Sequence, residues 1–273
     1  MNRFLMCVLA GLMTVTTAGS GSLAGGHADD VFSQLSSSHG SRVGSLLLVG
    51  GGGLPDSIRQ RFLELAGGRE ARIVIIPSAS ALPDAAEYAF TSWKTAAVKS
   101  VRVLHTTSRA DADDPGFYGM LRDATGVWIS GGDQSRLTTI FGGTAVEREL
   151  ANLLRRGGVV AGTSAGASVV TGVMMAEGGK AGHGFGLLAN TIVDQHFSNR
   201  GRLPRLLGLL RSYPDQVGIG IDQETAVLIR GDEVSVLGKA TVTVATPGGV
   251  RPSVRVYHAG SHFQPSVLSV ASR

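Results

Sequence analysis

Gly158-Val159-Val160-Ala161-Gly162-Thr163-Ser164-Ala165-Gly166-Ala167 decides how the chain is read. Its first half is a short apolar run ending in small residues. From Ala165 to Val173 the residues suit a helix, and the junction has the pattern G-x-S-x-G. That is a strand, a tight turn and a helix, with Ser164 exposed at the bend. Glycines on both sides suit such a bend, because a Cβ there collides with neighbouring backbone.

Outward from the bend the same alternation repeats. Gly44 to Val49 is an apolar run closed by Gly50 to Gly53, and Ile58 to Leu65 has helical spacing. Arg72 to Ile76 is a second run, closed by Pro77. Ala85 to Val98 reads as a helix, Val101 to Leu104 as a strand and Pro115 to Arg122 as a helix. Gly126 to Ser130 is another strand, running into Gly131-Gly132-Asp133-Gln134, and Val146 to Arg155 is helical. Continuous apolar runs alternating with helices mean strands covered on both faces. A three-layer α/β fold with a mostly parallel sheet and helices on both faces follows. Past Gly218 the runs 226–229, 233–237, 241–244 and 254–257 are short and split by Gly-Asp and Pro-Gly-Gly turns. They read as antiparallel β additions at the sheet edge near the C-terminus. No repeat recurs at 20–50 residues, so residues 44–273 read as a single α/β domain.

The chain's 273 residues are 43% hydrophobic, too apolar for a disordered protein. Residues 1–28 read as a secretory signal peptide: Arg3, an apolar run from Phe4 to Val15, then small and polar residues. The run is too short for a permanent span, so no stable membrane span is expected and the product is secreted or periplasmic. Residues 29–43, rich in Ser, Asp, His and Gly, read as a flexible lead-in. The one cysteine, Cys7, lies inside the signal, which excludes disulfides, cysteine zinc sites and a cysteine nucleophile from the mature chain. Net charge is +4, with 21 arginines against 4 lysines. No basic tract interleaves with aromatics, so no nucleic-acid partner is expected.

In open parallel sheets ligands sit outside the carboxyl ends of the strands. Ser164 lies at such an end as a candidate nucleophile, with the Ala165 amide at a helix start able to hold an oxyanion. The alternative is a serine helix cap beside a glycine-rich turn. A serine nucleophile needs a base, and of seven histidines His196 has the most unusual neighbours. After the strand-like Ile192 to Phe197 come Arg200, Arg202 and Arg205, at a loop-to-helix junction. Their planar forks suit a carboxylate. The alternative is a solvated basic helix start, disfavoured by the helix dipole.

Taken in order, several segments resemble one family. They are Leu48 to Gly53, Ile76-Pro77-Ser78-Ala79-Ser80, Gly131-Gly132-Asp133-Gln134, Gly162 to Ala167, Asp194-Gln195-His196-Phe197 with the three arginines, and Gly218-Ile219-Gly220-Ile221-Asp222. Together they are similar to the cyanophycinases, serine exopeptidases related to peptidase E on a class I glutamine-amidotransferase-like fold. The resemblance implies that Ser164 is the nucleophile and His196 its base. Gly132 and Ala165 would form the oxyanion hole, and Gln134, Asp194, Gln195, Arg200, Arg202 and Arg205 would line the substrate pocket. It implies a polypeptide substrate rich in β-linked Asp-Arg, namely cyanophycin, cut to β-Asp-Arg dipeptides. It also implies a homodimer. No cofactor or metal is needed, since nucleophile, base and oxyanion donors are all protein groups.

One position departs. The family carries Glu right after the Asp of Gly-Ile-Gly-Ile-Asp, as third triad member; here Gln223 stands there, followed by Glu224. If the segment is extended, Asp222 and Glu224 face away from whatever Gln223 faces. Either Gln223 orients His196 or a local bulge delivers Glu224. Two rivals therefore accompany the first reading: a peptidase E-like aspartyl or isoaspartyl dipeptidase, and a weak or silent binding homologue that has lost the triad acid.

Overall fold

Alternate residues of each central strand point to opposite faces, and both faces are buried. The computed structural model describes residues 44–248, 252–264 and 269–270. The expected signal (1–28) and lead-in (29–43) lie outside the described residues. Five strands, β1 (Ser45–Val49), β2 (Arg72–Ile76), β3 (Ser100–Val103), β4 (Gly126–Ile129) and β5 (Val159–Thr163), run parallel in the order β1-β5-β4-β2-β3. Leu47, Val49, Ile73, Ile75, Trp128 and Ala161 pack on one face against α1 (Asp56–Leu65) and α2 (Ala85–Trp93). There Phe62, Trp93 and Trp128 meet ring to ring, with centroids 5.1–5.4 Å apart. Leu46, Leu48, Val74, Ile76, Val127 and Ile129 face the other way. The helices on that side are α3 (Pro115–Tyr118), α4 (Gln134–Phe141) and α5 (Ala145–Arg155). The sequence pattern had not singled out α4. It is capped by Asp133, which accepts from the Ser135 amide at 2.8 Å, and it buries Leu137, Ile140 and Phe141.

The stretch from Ala165 to Val173 departs from the expected long helix. α6 (Ala165–Ser168) ends where β-branched Val169, Val170 and Thr171 begin, and the Thr171 hydroxyl turns back to the Ser168 carbonyl at 3.0 Å. The chain then forms the hairpin of β6 (Val173–Met175) and β7 (Ala181–His183), followed by β8 (Leu188–Ala189) and β9 (Thr191–Gln195). α7 (Leu203–Ser212) leads to β10 (Val217–Ile221), parallel to β9.

The C-terminal β-runs divide. β11 (Thr225–Arg230) and β12 (Glu233–Gly238) extend the main sheet antiparallel beyond β1, as read from the sequence. β13 (Thr241–Thr246) and β14 (Ser253–His258) instead join β10 and β9 in a separate four-stranded sheet, β14-β13-β10-β9. Period-two patterning says that a strand has a buried face, and leaves its partner unspecified. β15 (His262–Phe263) pairs with β12 and completes the eight-stranded main sheet. β16 (Ser269–Val270) pairs with β8. Val193, Ile219, Ile221, Val242 and Val244 share the buried cluster of Leu46 and Leu48, so the second sheet packs on the first. α7 covers its far side through Leu206, Leu209 and Leu210.

The bend after β5 is where this packing is tightest. A Cβ on Gly162 would stand 2.1 Å from the Gly166 carbonyl oxygen, and one on Gly166 would stand 2.2 Å from that of Ile129. Gly162→Ala is therefore expected to lower stability by about 1–3 kcal/mol through overpacking, read from the urea midpoint. A variant as stable as the parent would contradict the close approach.

Candidate active site

Ser164 sits at the carboxyl end of β5 with φ 52° and ψ −113°, a left-handed conformation that a serine adopts only under constraint. Its amide donates to the Val49 carbonyl at 2.9 Å, and its own carbonyl accepts from Ala167 and Ser168 as α6 begins. The hydroxyl is thus lifted out of the sheet rather than used as a helix cap: no side-chain cap bond is made. Among the described residues, the amides of Ala165 and Gly132 donate to no other protein group.

His196 comes from the second sheet, one residue past β9. It too has positive φ, 49°. Its amide donates to the Gly50 carbonyl at 2.7 Å, which swings the ring toward β5. Nε2 then stands 3.0 Å from Ser164 Oγ. Gly51, at φ 94°, must be glycine for this to happen, since a Cβ there would fall 2.3 Å from the imidazole Cε1. Burial pushes the His196 pKa below its ordinary value. Arg200 and Arg202 push the same way, and Asp194 only partly opposes them. The imidazole is held neutral, the form a general base needs.

Gln223 is the third member of the line. Its amide lies 2.9 Å from His196 Nδ1, and its own backbone N–H donates to Asn199 Oδ1 at 2.9 Å. The contact at Nδ1 is made by Nε2, and a half-turn of the amide presents the oxygen instead. With the oxygen inward, Nδ1 carries the proton and Nε2 can accept from Ser164. With the NH2 inward, the ring proton moves to Nε2 and the base is blocked. A carboxylate would allow only the first arrangement. Glu224 does not reach the ring. It has φ 55°, its amide donates to the Gly51 carbonyl, and its carboxylate pairs with Lys239 at 2.5 Å. The bulge that would deliver Glu224 is therefore corrected: the turn at Glu224 points it away.

Asp222 faces the opposite side, buried. It accepts from Ser198 N at 2.8 Å, from the Ser198 hydroxyl, and from the Thr241 hydroxyl. Burial works to raise its pKa, but these hydrogen bonds together hold it below the usual carboxylate value. It thus ties the loop after His196 to β13.

The arginines are not three equivalent receptors. Asp194, fully buried, takes Arg205 Nε at 2.7 Å together with an Arg205 terminal nitrogen, and Arg202 Nη1 at 3.2 Å. Arg202 also donates to the Gln195 carbonyl. Asp194 is therefore corrected from a substrate contact to the anchor of two arginines. Arg200 is exposed and makes no ion pair among the described residues. One carboxylate against three guanidiniums leaves a cation surplus beside His196. Gln134 donates its amide to the Met175 carbonyl at 2.9 Å, which leaves its oxygen open. Gln195, 6% exposed, has an Oε1 with no partner, an acceptor left for a donor. Gly51, Asn199 and Asp222 had no assigned role in the sequence reading. The glycine run before Leu54 was the signal for the first.

Residues 46–237 match the profile of peptidase family S51. The chain is 35% identical over 239 residues to a cyanophycinase of Synechococcus elongatus, covering 81% of this chain and 74% of that protein. It is 36% identical over 219 residues to a cyanophycinase of Geminocystis herdmanii, covering 73% and 79%. Among solved structures, a peptidase from an acI-B1 actinobacterium superposes with a TM-score of 0.69 at 25% identity, over 81% of this chain and 97% of that one. A putative peptidase E protein from Listeria monocytogenes, 17% identical with a TM-score of 0.54, shares the fold over 72% and 99%.

NMR titration of the imidazole reads the electrostatics without any substrate. The His196 pKa is expected below the usual value of about 6.5, so the neutral base persists to lower pH. Gln223→Glu should move it upward, because an adjacent carboxylate favours the cation. An unchanged titration in that variant would show that residue 223 does not face the ring.

Proposed function

Because the chain belongs to peptidase family S51, among the cyanophycinases, and is a serine-type peptidase, we propose that it is a secreted exopeptidase that hydrolyses cyanophycin. Cyanophycin is poly-aspartate with arginine amide-linked to each side-chain carboxyl, and the product is the β-Asp-Arg dipeptide. Ser164 Oγ attacks the backbone carbonyl carbon while His196 Nε2 takes its proton. The oxygen that becomes negative is received by the amides of Ala165 and Gly132. The imidazolium then protonates the leaving amine, which departs and leaves an acyl group on Ser164. A water, deprotonated by the same nitrogen, releases the acid and restores the enzyme.

Arg200 is the open receptor for the free carboxylate of a branched arginine, with Arg202 and Arg205 adding field from behind. Secretion fits a polymer too large to enter most cells. The observation that carries the reading is the 3.0 Å contact of Ser164 with His196, with Gln223 on the far ring nitrogen. An amide orients the ring but adds no negative charge to stabilise the imidazolium, so turnover is slower than a carboxylate would give.

Incubating the purified protein with cyanophycin should release β-Asp-Arg, detected by mass. Ser164→Ala should cut the rate by about a thousandfold or more. Absence of product from the parent, or product undiminished in the variant, would overturn the assignment. In the same assay Gln223→Glu is expected to raise kcat, and an equal or lower rate would contradict the role given to the amide.

A further inference from the structure

His196, Gln223 and the arginines approach Ser164 from the side of the second sheet. On the opposite, α1–α2 face a cavity of about 550 Å³ opens beside the same serine, within the size range of small-molecule sites. Gly131 and Thr163 form its inner edge. A Cβ on Gly131 would stand 3.3 Å from Ser164 Cβ, so the inner edge of the cavity lies directly beside the nucleophile.

The lining has a defined chemistry. Trp93 and Trp128, 4% and 3% exposed, lie in its floor. Tyr88 stands on α2 and is 74% exposed, so its ring is open to a ligand in the cavity. Asp84, just before α2, is exposed and takes part in no ion pair or side-chain hydrogen bond among the described residues, not even as a helix cap. Arg59 is fixed differently: its guanidinium lies 4.6 Å over the Trp93 ring and donates to the Ser92 carbonyl at 2.8 Å.

An exposed phenol face next to a free carboxylate receives a planar cation, which stacks on the ring and pairs with the oxygens. Arg59 supplies the opposite charge for a carboxylate. One residue bearing both a guanidinium and a free carboxylate matches this set, and it is arginine. We propose that the cavity is a subsite for the arginine branch of the substrate unit lying across the scissile bond from Arg200, with Tyr88 and Asp84 reading the guanidinium. The identity of the ligand rests on the cyanophycin reading above. Ser164 then lies between two receptors, one on each face of the sheet, and a substrate of at least two repeats engages both.

The test is calorimetric binding to Ser164→Ala, which holds substrate without cutting it. The probes are a two-repeat β-Asp-Arg peptide and its citrulline counterpart, in which a neutral ureido group replaces each guanidinium. The arginine peptide should bind about tenfold more tightly. Adding Asp84→Asn or Tyr88→Ala should each weaken the arginine peptide by about tenfold while changing the citrulline peptide less than about twofold. Both side chains are exposed, and unchanged far-ultraviolet circular dichroism checks that the variants fold. If both variants bind like the parent although the wild type releases β-Asp-Arg, the subsite is overturned and the function stands. If discrimination depends on Asp84 and Tyr88 although the wild type releases no product, the subsite stands and the hydrolytic reading falls. Failure of the arginine peptide to bind overturns the subsite.

Discussion

The 3.0 Å contact between Ser164 and His196 joins the ends of strands from two different sheets, and three of the four non-glycine residues with positive φ among the described residues lie at this junction. Ser164 directly follows β5 of the main sheet, and His196 directly follows β9 of the smaller sheet packed on it. The glycine run after β1 is the splice. Gly50 accepts from the His196 amide, Gly51 accepts from the Glu224 amide, and the bare backbone of Gly51 lies against the imidazole. Ser164, His196 and Glu224 all take positive φ, each at a cost of about 1–3 kcal/mol; Ser164 meets His196, and the amides of His196 and Glu224 both bond to the glycine run. Such strain persists only where surrounding packing over-determines it. The shared buried cluster of Leu46, Leu48, Val193, Ile219 and Val242 supplies that packing.

The electrostatics follow from the same geometry. Asp194 holds Arg202 and Arg205, while Arg200 is exposed and makes no ion pair among the described residues; Arg200 and Arg202 both act on His196. The surplus of positive charge that would attract a carboxylate also disfavours the imidazolium. With Gln223 in place of an acid, nothing at Nδ1 offsets this. The ring is therefore a base that stays neutral to lower pH than an ordinary histidine, and its protonated form is poorly compensated. Binding and proton transfer draw on the same arginines in opposite directions.

The legible parts of the sequence were those governed by local pattern. Continuous apolar runs gave the parallel sheet because strands covered on both faces carry no polar alternation. The glycines about Ser164 marked the bend because only a close backbone approach needs them. Parity along Asp222-Gln223-Glu224 correctly set Gln223 apart from its neighbours, although a left-handed turn at Glu224, rather than a pleat, does the separating. Long-range partners were not legible. Nothing in Thr241–Thr246 says that it pairs with β10 rather than with β12, and nothing in three clustered arginines says that a buried aspartate neutralises two of them. His196 was reached through its neighbours and a family resemblance, since no pattern reports a positive φ at a residue other than glycine.

In the proposed mechanism His196 makes the Ser164 hydroxyl nucleophilic across the sheet junction. Labelling with a fluorophosphonate, followed by mass analysis of the modified peptide, tests it most directly. The account predicts a single adduct on Ser164 whose rate rises with deprotonation of His196 and is lost in His196→Ala. Labelling of Ser164 at the same rate without the imidazole, or no labelling of the intact protein at all, would contradict it.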